Sequence, residues 1–335
     1  MKLIIVFLIC YIIVLADQGK NYNHATVLFT ENECNIKGGI KEGCWFNSYL
    51  NSDLWANGTT FGLDKNLHMD ISIAGMLSKE PSVNYIGDFH TASNIEAPSQ
   101  LLLYSAFLSY KFEKVYGLEL SAGLIDLNSI YDVTESASIL INSSFGISAG
   151  LSANGAYSIN VSIESGKNNV ELGVFDANPT KRAQPFLDGY FSILQWEKNK
   201  KNNYNIYMGV WQSNTSLGQT YGCYGSVEKR ISNESTVFLR SAIDNGIVTV
   251  VPFAFEVGIL RNTPFLSRKN DIFSAGIAQA CFKDNKAETA YEVTYLWQHN
   301  KYIAFQPDLQ YIQHLSGLSN NAMIAIFRVI IAYDN

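Results

Sequence analysis

The stretch YEVTYLWQHNKYIAFQPDLQYIQH, residues 291 to 314, decides the fold class of this chain. Before the turn-like residues 299–301, one phase of an alternating pattern holds Tyr291, Val293, Tyr295 and Trp297, and the other holds Glu292, Thr294 and Gln298. After the turn, the apolar phase holds Ile303, Phe305, Leu309 and Tyr311, against Gln306, Asp308 and Gln310. A period of two is typical of strands, because successive side chains point to opposite faces of a sheet. The stretch therefore predicts two strands that share one large apolar face and one polar face.

The same alternation recurs along most of the chain, with the clearest runs at 67–77, 102–112, 118–124 and 323–333. Short polar breaks, typical of hairpin turns, lie at 113–116, 166–169, 198–203, 232–234, 283–286 and 299–301. Longer connections occupy 78–99, 127–155, 177–186, 213–218 and 262–270. Short turns at one edge of the sheet and longer loops at the other are typical of outer-membrane barrels. The pattern gives about fifteen strands, and the even number of bacterial barrels requires one more, which we place within residues 24–30.

A soluble β-sandwich is the alternative, since its strands also alternate. Three features favour a barrel with lipid outside and water inside. The segments run to about ten residues, against the usual five or six. Aromatic residues cluster at segment ends, as they do in the interfacial girdles of membrane proteins. The smaller face carries Glu, Gln, Asp and Arg, which would cost several kcal/mol each in a dry core without partners.

Composition narrows the class further. Of the 335 residues, 47% are hydrophobic and 16% are charged, below the roughly 25% of ordinary soluble domains. The net charge is −6, and without a basic patch we expect no nucleic-acid partner. Beyond the N-terminal segment, no apolar run approaches the roughly 20 residues of a spanning helix. Entry into a membrane would therefore require a closed barrel.

The N-terminal residues MKLIIVFLICYIIVLA predict a signal peptide over residues 1–16. Lys2 precedes an unbroken apolar stretch over residues 3–15, and small residues stand where a signal peptidase reads. We expect cleavage after Ala16, export through the periplasm, and a barrel domain over residues 17–335. Losing Lys2 leaves 23 basic and 30 acidic side chains, so the mature net charge is −7.

Four cysteines remain after the signal. Cys34 and Cys44 bracket a glycine-rich turn, and the spacing leaves open whether they form a disulfide. Cys223 and Cys281 lie within strand patterns as small wall residues. No Cys-x-x-Cys or Cys/His spacing suggests zinc, and we expect neither a metal ion nor a cofactor.

Several stretches resemble the carbohydrate-selective outer-membrane porins of the OprB type. The most specific pieces are NIEAP (94–98), GLIDLNSIYDV (123–133), NSSFG (142–146) and QPDLQYI (306–312). The segment GGIKEGCWFNSYLNSDL (38–54) resembles the first strand of that family. The resemblance implies an all-β, transmembrane antiparallel barrel of about sixteen strands that lets monosaccharides, glucose in particular, diffuse passively across the bacterial outer membrane. A non-aromatic final residue, Asn335, departs from the usual ending of such porins.

A sugar offers hydroxyls over apolar C–H faces, so a selective constriction needs hydrogen-bonding side chains and aromatic rings while binding weakly. The best candidates lie in a long connection that we expect to fold into the lumen as a constriction loop: Asp126, Asn128, Asp132 and Glu135. The alternative is a solvent-exposed loop in which these residues cap turns. Glu96, within SNIEAP, is a second candidate, and the alternative there is a turn held by Asn94 and Pro98.

Polar residues in the inward phase of the strands form a third group of predicted pore-lining residues: Glu119, Arg240, Glu292, Asp308, Gln310 and Arg328. Facing acids and arginines would create a transverse field that orients sugar hydroxyls. The alternative is that they wet the wall and pair with one another. Pro307 cannot donate to the strand ladder, so we expect a bulge or strand end there.

Other functions remain open at this stage. A general diffusion porin would share the fold without a sugar preference. An outer-membrane barrel enzyme has little support, because neither His68 nor His299 has a nearby Ser and acid in a nucleophile pattern, and we expect no catalytic residues. A surface adhesin would favour longer loops. Expected partners are transient monosaccharides, outer-membrane lipids and lipopolysaccharide, and the sequence does not decide between a monomer and a homo-oligomer.

Overall fold

The computed structural model describes residues 22–115, 117–148, 155–200, 203–262 and 268–334. The predicted signal peptide lies outside this part of the chain. Within it, the strands are β1 Tyr22–Gly38, β2 Gly43–Asn57, β3 Leu67–Leu77, β4 Gln100–Phe112, β5 Leu118–Asp126, β6 Gly155–Ser165, β7 Asn168–Asp176, β8 Gly189–Lys200, β9 Tyr204–Thr215, β10 Gly218–Arg230, β11 Ser235–Gly246, β12 Phe253–Asn262, β13 Ile272–Cys281, β14 Ala287–Gln298, β15 Ile303–Gln313 and β16 Ala322–Asp334.

These strands form a closed antiparallel barrel in which each pairs with its neighbours in sequence. The barrel closes between β1 and β16, where Glu31 stands opposite Arg328. The predicted closed β-barrel of about sixteen strands is confirmed, including the extra strand around residues 24–30. Most of the segment 38–54, which resembles the first strand of the family, forms β2 in this barrel, because β1 already spans Tyr22–Gly38.

The two faces of β14 and β15 follow the predicted alternation. Val293, Trp297 and Leu309 point outward and are more than 40% exposed. Glu292 and Gln310 point inward and are almost fully buried. The same outward exposure of large apolar side chains continues on the other strands, from Leu50 on β2 to Phe327 on β16. Such a surface suits hydrocarbon and is unusual for a protein surrounded by water.

The connections divide between two edges of the barrel. Among the described residues, the edge here called the loop edge carries residues 39–42, 78–99, 127–148, 177–188, 216–217, 247–252, 282–286 and 314–321. The opposite, turn edge carries the described residues 58–66, 113–115, 117, 166–167, 203, 231–234, 268–271 and 299–302, together with both ends of the described chain. The predicted division by length is not strict. The short connections 216–217 and 282–286 lie at the loop edge, while residues 58–66 and the connection between β12 and β13, which was predicted to be long, lie at the turn edge. The three longest connections share the loop edge, as expected.

Helical structure in the described residues is confined to short turns. Single 3₁₀ turns cover Gly58–Phe61, Leu127–Ser129, Glu135–Ala137, Ser143–Phe145 and Leu315–Gly317, and a π turn covers Ser82–Ile86. None of the described helices is long and apolar enough to cross a membrane.

Cys34 on β1 and Cys44 on β2 are directly opposite each other and joined by a disulfide. The bond closes the hairpin whose turn, residues 39–42, lies at the loop edge. Cys223 is an exposed free thiol and Cys281 is a half-buried one. The sequence left open whether Cys34 and Cys44 form a disulfide, and the structure shows that they do.

The barrel interior is less uniformly polar than the sequence pattern predicts. Beside its carboxylates and amides it holds an apolar cluster of inward side chains: Ile125, Leu127, Tyr131, Ala156, Phe175, Phe191, Ile193, Tyr207, Trp211, Tyr224 and Ala242. This cluster lies on the walls of β5 to β11, and Leu127 and Tyr131 come from the connection after β5. Part of the lumen, on the side of β5 to β11, is therefore filled like a protein core.

The candidate pore

Two long connections of the loop edge enter the lumen. Inner loop 1 is residues 78–99, and inner loop 2 is residues 127–154, of which 127–148 are described. Each carries fully buried side chains, such as Ile86 in the first and Ile141 in the second. The predicted inward folding of inner loop 2 is confirmed, and inner loop 1 joins it. How they are held determines the shape of the passage.

Arg240 on β11 is the main anchor of inner loop 2. Its guanidinium donates to Oε2 of Glu256 at 2.9 Å, to the carbonyl of Asp132 at 3.2 Å and to the carbonyl of Ser144 at 2.8 Å. The Asp132 carboxylate lies 3.7 Å from Nη1 of Arg240 and accepts from the Tyr207 hydroxyl at 3.0 Å. Arg240 is 1% exposed and Asp132 is fully buried. A buried charge is tolerated only when it is paired and hydrogen-bonded, and this set of bonds meets that need.

Glu292 on β14 holds the middle of the same loop. Its two carboxylate oxygens accept the consecutive backbone N–H groups of Ile141 at 2.5 Å and Asn142 at 3.0 Å. Gln310 accepts the side-chain amide of Asn142 at 3.0 Å, and it donates to the Asp308 carboxylate at 3.0 Å. A carboxylate that receives two backbone donors satisfies groups that a buried loop would otherwise leave unpaired. The wall thus supplies the bonds that the loop lacks internally.

Glu288, four residues before Glu292 on the same face of β14, holds inner loop 1 in the same manner. It accepts the N–H groups of Phe89 at 2.8 Å and His90 at 2.9 Å, and Nδ1 of His90 lies 2.8 Å from Oε1. It also accepts the N–H of Ser316, in the connection between β15 and β16, at 2.6 Å. One fully buried carboxylate therefore fixes two separate connections of the loop edge.

At the barrel seam, Arg328 on β16 pairs with Glu31 on β1 and donates to Oδ1 of Asn94 at 2.6 Å. The second oxygen of Glu31 accepts from the Ser93 hydroxyl at 2.6 Å. The guanidinium also lies 5.2 Å from the centre of the Phe29 ring, within cation–π range. These contacts hold the end of inner loop 1 against the seam.

The two inner loops also bond to each other. The N–H of Asn94 donates to the carbonyl of Ile141 at 2.8 Å, and the N–H of Ser143 donates to the carbonyl of Thr91 at 3.0 Å. Close packing supports inner loop 2, since a Cβ placed on Gly276 of β13 would stand 2.7 Å from the Phe145 ring. The two inner loops therefore form one partition in the lumen, and this partition packs closely against the barrel wall at Gly276.

The open part of the lumen beside this partition is a cavity of about 570 Å³, here called the central cavity. Its lining comes from the inner loops and from strands β1 to β4 and β14 to β16: Phe29, Tyr49, Met76, Asn94, Ile95, Glu96, Ala97, Tyr104, Ser138, Ile139, Leu296, Gln306, Arg328 and Ile330. Three aromatic rings, the two side-chain amides of Asn94 and Gln306, a carboxylate and a guanidinium thus meet in one space. Such a mixture offers both stacking surfaces and hydrogen-bonding groups to a small polar molecule.

The predicted pore-lining residues fall into two sets. Glu96 lines the central cavity and accepts the N–H of Ser82 at 3.0 Å. Asp126 is the last residue of β5, at the loop edge, and its side chain is hydrogen-bonded to Tyr104 and to the N–H of Asn128. Glu135 is exposed on the free side of inner loop 2, and Glu119 lies near the turn edge.

The second set is buried and acts on the loops: Asp132, Arg240, Glu292, Asp308, Gln310 and Arg328. Of these, only Arg328 also lines the central cavity. The sequence predicts that Asp132 faces the passage. Its carboxylate instead lies against the wall, where it contacts Arg240 and Tyr207. Pro307 lies inside β15 opposite Phe327 with no register shift, so the expected bulge or strand end at this residue is wrong. The pairing of β15 with β14 is interrupted there, between the pairs Thr294–Asp308 and Trp297–Phe305.

Sequence reasoning missed several residues that this geometry makes important. Glu31 and Glu288 anchor inner loop 1, and Phe29, Tyr49 and Tyr104 supply the rings of the central cavity. The spacing of Glu288 and Glu292, four residues apart and on one strand face, is a signal that was available. The aromatic residues carried no signal, because rings also occur on the outer face, as at Tyr291 and Phe327.

Two carboxyl groups of inner loop 1 have shifted acidity. Burial, reinforced by the nearby carboxylate of Glu288, raises the pKa of Asp88 to about 7. Burial also raises the pKa of Glu96 to about 7, against the lowering effect of its hydrogen bond with Ser82. Both groups therefore change charge near neutral pH.

The sequence profile of a family described as carbohydrate-selective porins, OprB family, matches residues 147–333, more than half of the chain. The chain belongs to this family. It is accordingly a sugar-selective porin of the outer membrane. A search among curated proteins found no match.

Solved structures agree with the fold of this porin. The high-pH structure of Pseudomonas putida OprB, 14% identical, superposes with a TM-score of 0.84 over 96% of each chain. Its low-pH structure, also 14% identical, gives 0.67 over 96% of this chain and 95% of that one. A mutant of the Rh. blastica porin, 12% identical, gives 0.64 over 93% of this chain and 100% of that one. At these identities the likeness concerns the fold.

Proposed function

We propose that monosaccharides such as glucose pass through this porin by way of the central cavity, between the two inner loops and the wall formed by β16 and β1 to β4. The observation that carries the proposal is the composition of that cavity. Phe29, Tyr49 and Tyr104 present rings, while Glu96 and Arg328 present an acceptor and a donor. An open passage on the opposite wall is disfavoured, because the apolar cluster of β5 to β11 fills it.

The chemistry of a sugar fits this lining. Each hydroxyl both donates and accepts, so an acid, amides and a guanidinium can bond to it in several orientations. The C–H faces of the ring are apolar and suit the flat faces of aromatic side chains. Weak, exchangeable contacts allow the molecule to leave again, which a channel requires. The cavity volume lies within the range of small-molecule sites.

The predicted site residues take two roles in this proposal. Glu96 lines the central cavity and would meet the sugar. Asp126, Asn128 and Glu135 lie outside that lining, and we propose that they act on the water around the passage. Asp132, Arg240, Glu292, Asp308 and Gln310 hold inner loop 2, and Arg328 does both. Glu119 belongs to the wall below the cavity.

The loop edge would face the cell exterior and the turn edge the periplasm, as in other bacterial barrels. Export through the periplasm by the N-terminal signal, with cleavage after Ala16, remains part of the proposal. So do contacts between the apolar outer face and outer-membrane lipids. Contact with lipopolysaccharide is likewise part of the proposal.

Single-channel recording in a planar bilayer tests the function. With the purified porin, glucose added in the millimolar range should reduce the ion current reversibly, because a sugar in the central cavity obstructs ions. The Tyr49→Ala variant should raise the half-blocking concentration, while Tyr291→Ala should not. Tyr291 is the matched control, since its ring is on the outer face of the barrel and 38% exposed.

Two results would decide against the proposal. If glucose leaves the wild-type current unchanged, the pore has no monosaccharide site and behaves as a general diffusion channel. If glucose blocks wild type and Tyr49→Ala equally, the sugar passes elsewhere.

A further inference from the structure

A second cavity of about 500 Å³ lies on the inner wall near the turn edge, here called the exit cavity. Its lining on strands β2 to β5 includes Trp55, Asn57, His68, Asp70, Phe107, Ser109 and Glu119. All of these side chains belong to the inward phase of their strands, since Trp55 pairs with Asp70 and Asp70 with Phe107. The inner loops do not contribute to it, so its function is not explained by the partition above.

Trp55 is the main feature of this cavity. The indole is 40% exposed although the residue faces the lumen. Its side chain hydrogen-bonds Asp70, and the same carboxylate accepts from the Ser105 hydroxyl at 3.2 Å. A large ring is therefore held by its polar edge while part of its surface stays open to the lumen. The open part of the ring offers a flat apolar face to a molecule in the lumen.

The strand between the two cavities is polar. Trp55 follows Tyr49 on β2 by six residues, a separation of roughly 20 Å along an extended strand. The inward residues between them are Asn51 and Asp53, and Asn51 donates to Asp53 at 2.7 Å. Ser72 of β3 donates to the side-chain carbonyl of Asn51 at 2.9 Å. One wall of the lumen thus carries a ring at each end and hydrogen-bonding groups in the middle.

We propose that the exit cavity is a second saccharide subsite, in which the apolar face of a monosaccharide stacks on Trp55 while Asp70, Asn57, His68 and Ser109 bond to its hydroxyls. This rests on the proposed function of the central cavity and extends it. A sugar leaving Tyr49 would cross the polar wall of β2 and pause at Trp55 before release at the turn edge. A ring with polar groups around its rim is a better match for a sugar than for a metal cation, for which acids alone would suffice.

The test uses the full porin in planar bilayers with glucose as the probe. Trp55→Ala should raise the half-blocking glucose concentration by about three- to tenfold, the range expected when a stacking contact is lost. Trp55→Phe keeps a ring and should show a smaller increase. The ion current without sugar should not fall in either variant. Trp297→Ala is the matched control, because Trp297 lies on the outer face and is 42% exposed.

Additivity separates the two subsites. If they act independently, the fold-changes of Tyr49→Ala and Trp55→Ala should multiply in the double variant, since the residues are too far apart to couple. Circular dichroism and the gel mobility of unheated protein would show that each variant still forms the barrel.

The outcomes are distinguishable. Absence of glucose block in the wild type overturns the proposed function itself. Block in the wild type that is unchanged in a folded Trp55→Ala variant overturns the second subsite alone. If Trp55→Ala has no effect but Asp70→Asn alters the preference for cations in sugar-free salt, the exit cavity is an ion site, and the inference is likewise overturned.

Discussion

Nη1 of Arg240, on the wall strand β11, lies 3.7 Å from Oδ2 of Asp132, on inner loop 2. Both side chains are almost completely buried, and the same guanidinium bonds two carbonyls of the loop. The passage through the barrel is therefore narrowed by a loop that is fixed to the wall by charge. Its width depends on residues that do not themselves meet the sugar.

Replacing Arg240 by methionine should detach inner loop 2. The substitution leaves the carboxylates of Asp132 and Glu256 buried without their cation, and breaking a buried pair in this way costs about 3–5 kcal/mol. We expect a lower free energy of unfolding in urea, a larger single-channel conductance and weaker glucose block. The control is Arg261→Met, because Arg261 and Glu234 form an ion pair that is about half exposed and exposed pairs contribute little. Unchanged conductance in Arg240→Met would contradict the anchoring role.

Glu288→Ala should loosen two connections at once. It removes the acceptor for the N–H groups of Phe89, His90 and Ser316, and hydrogen bonds to a charged group contribute roughly 1.5–3 kcal/mol each. We expect more frequent closures in single-channel traces and faster protease cleavage within residues 78–99. Glu164→Ala, at an exposed strand end, should leave both measurements unchanged. If Glu288→Ala shows neither more frequent closures nor faster protease cleavage than the wild type, inner loop 1 is held by its apolar contacts instead.

Inner loop 1 should be held less firmly as the pH rises. Asp88 and Glu96 have pKa values of about 7, above the ordinary values of their side chains, because burial disfavours their charged forms. Their contribution to loop stability is fully present below the ordinary carboxyl pKa and is lost as the pH rises through about 7. We therefore expect current noise to increase between pH 5 and pH 8, recorded at fixed salt.

The Asp88→Asn variant checks the origin of that pH dependence. An amide does not ionise, so the increase in noise should become smaller, while Asp284→Asn, in the exposed connection 282–286, should behave as wild type. Noise that is flat with pH in the wild type, or an Asp88→Asn variant that follows the wild-type profile, would contradict the assignment to this group.

The disulfide between Cys34 and Cys44 should stabilise the barrel without changing conduction. It closes a segment with a sequence separation of 10 residues, for which the chain-entropy account gives about 3 kcal/mol. Cys34→Ser with Cys44→Ser should unfold at lower urea concentration than wild type, and reductant should shift only the wild type. A change in glucose block would indicate that the hairpin touches the passage.

The fold followed from the sequence because the period of two is imposed by backbone geometry and repeats along the whole chain. The outward Trp297 and the inward Gln310 lie where alternation alone requires. Even the strand around residues 24–30 could be placed, from the need for an even number. Alternation gives the face of a side chain but not its partner, and this limits what can be said about the site.

The contacts that the inward-facing side chains make could not be predicted from alternation. Arg240 meets Asp132 across 108 positions of sequence, and Glu292 meets Ile141 across 151. Such partners depend on where a long loop comes to rest inside the barrel. The apolar cluster around Trp211 was likewise hidden, because a large ring in the inward phase looks the same in sequence whether it faces water or a packed loop.

The most direct test of the passage is a thiol introduced at Ser138, which is exposed on the free side of inner loop 2 and lines the central cavity. In a background with Cys223→Ser and Cys281→Ser, the Ser138→Cys porin would be inserted into a planar bilayer and treated with a bulky thiol reagent. We predict an irreversible loss of most of the ion current and no effect on the background protein. Full current after complete labelling of position 138, verified by mass spectrometry, would mean that ions and sugars cross the barrel by another path.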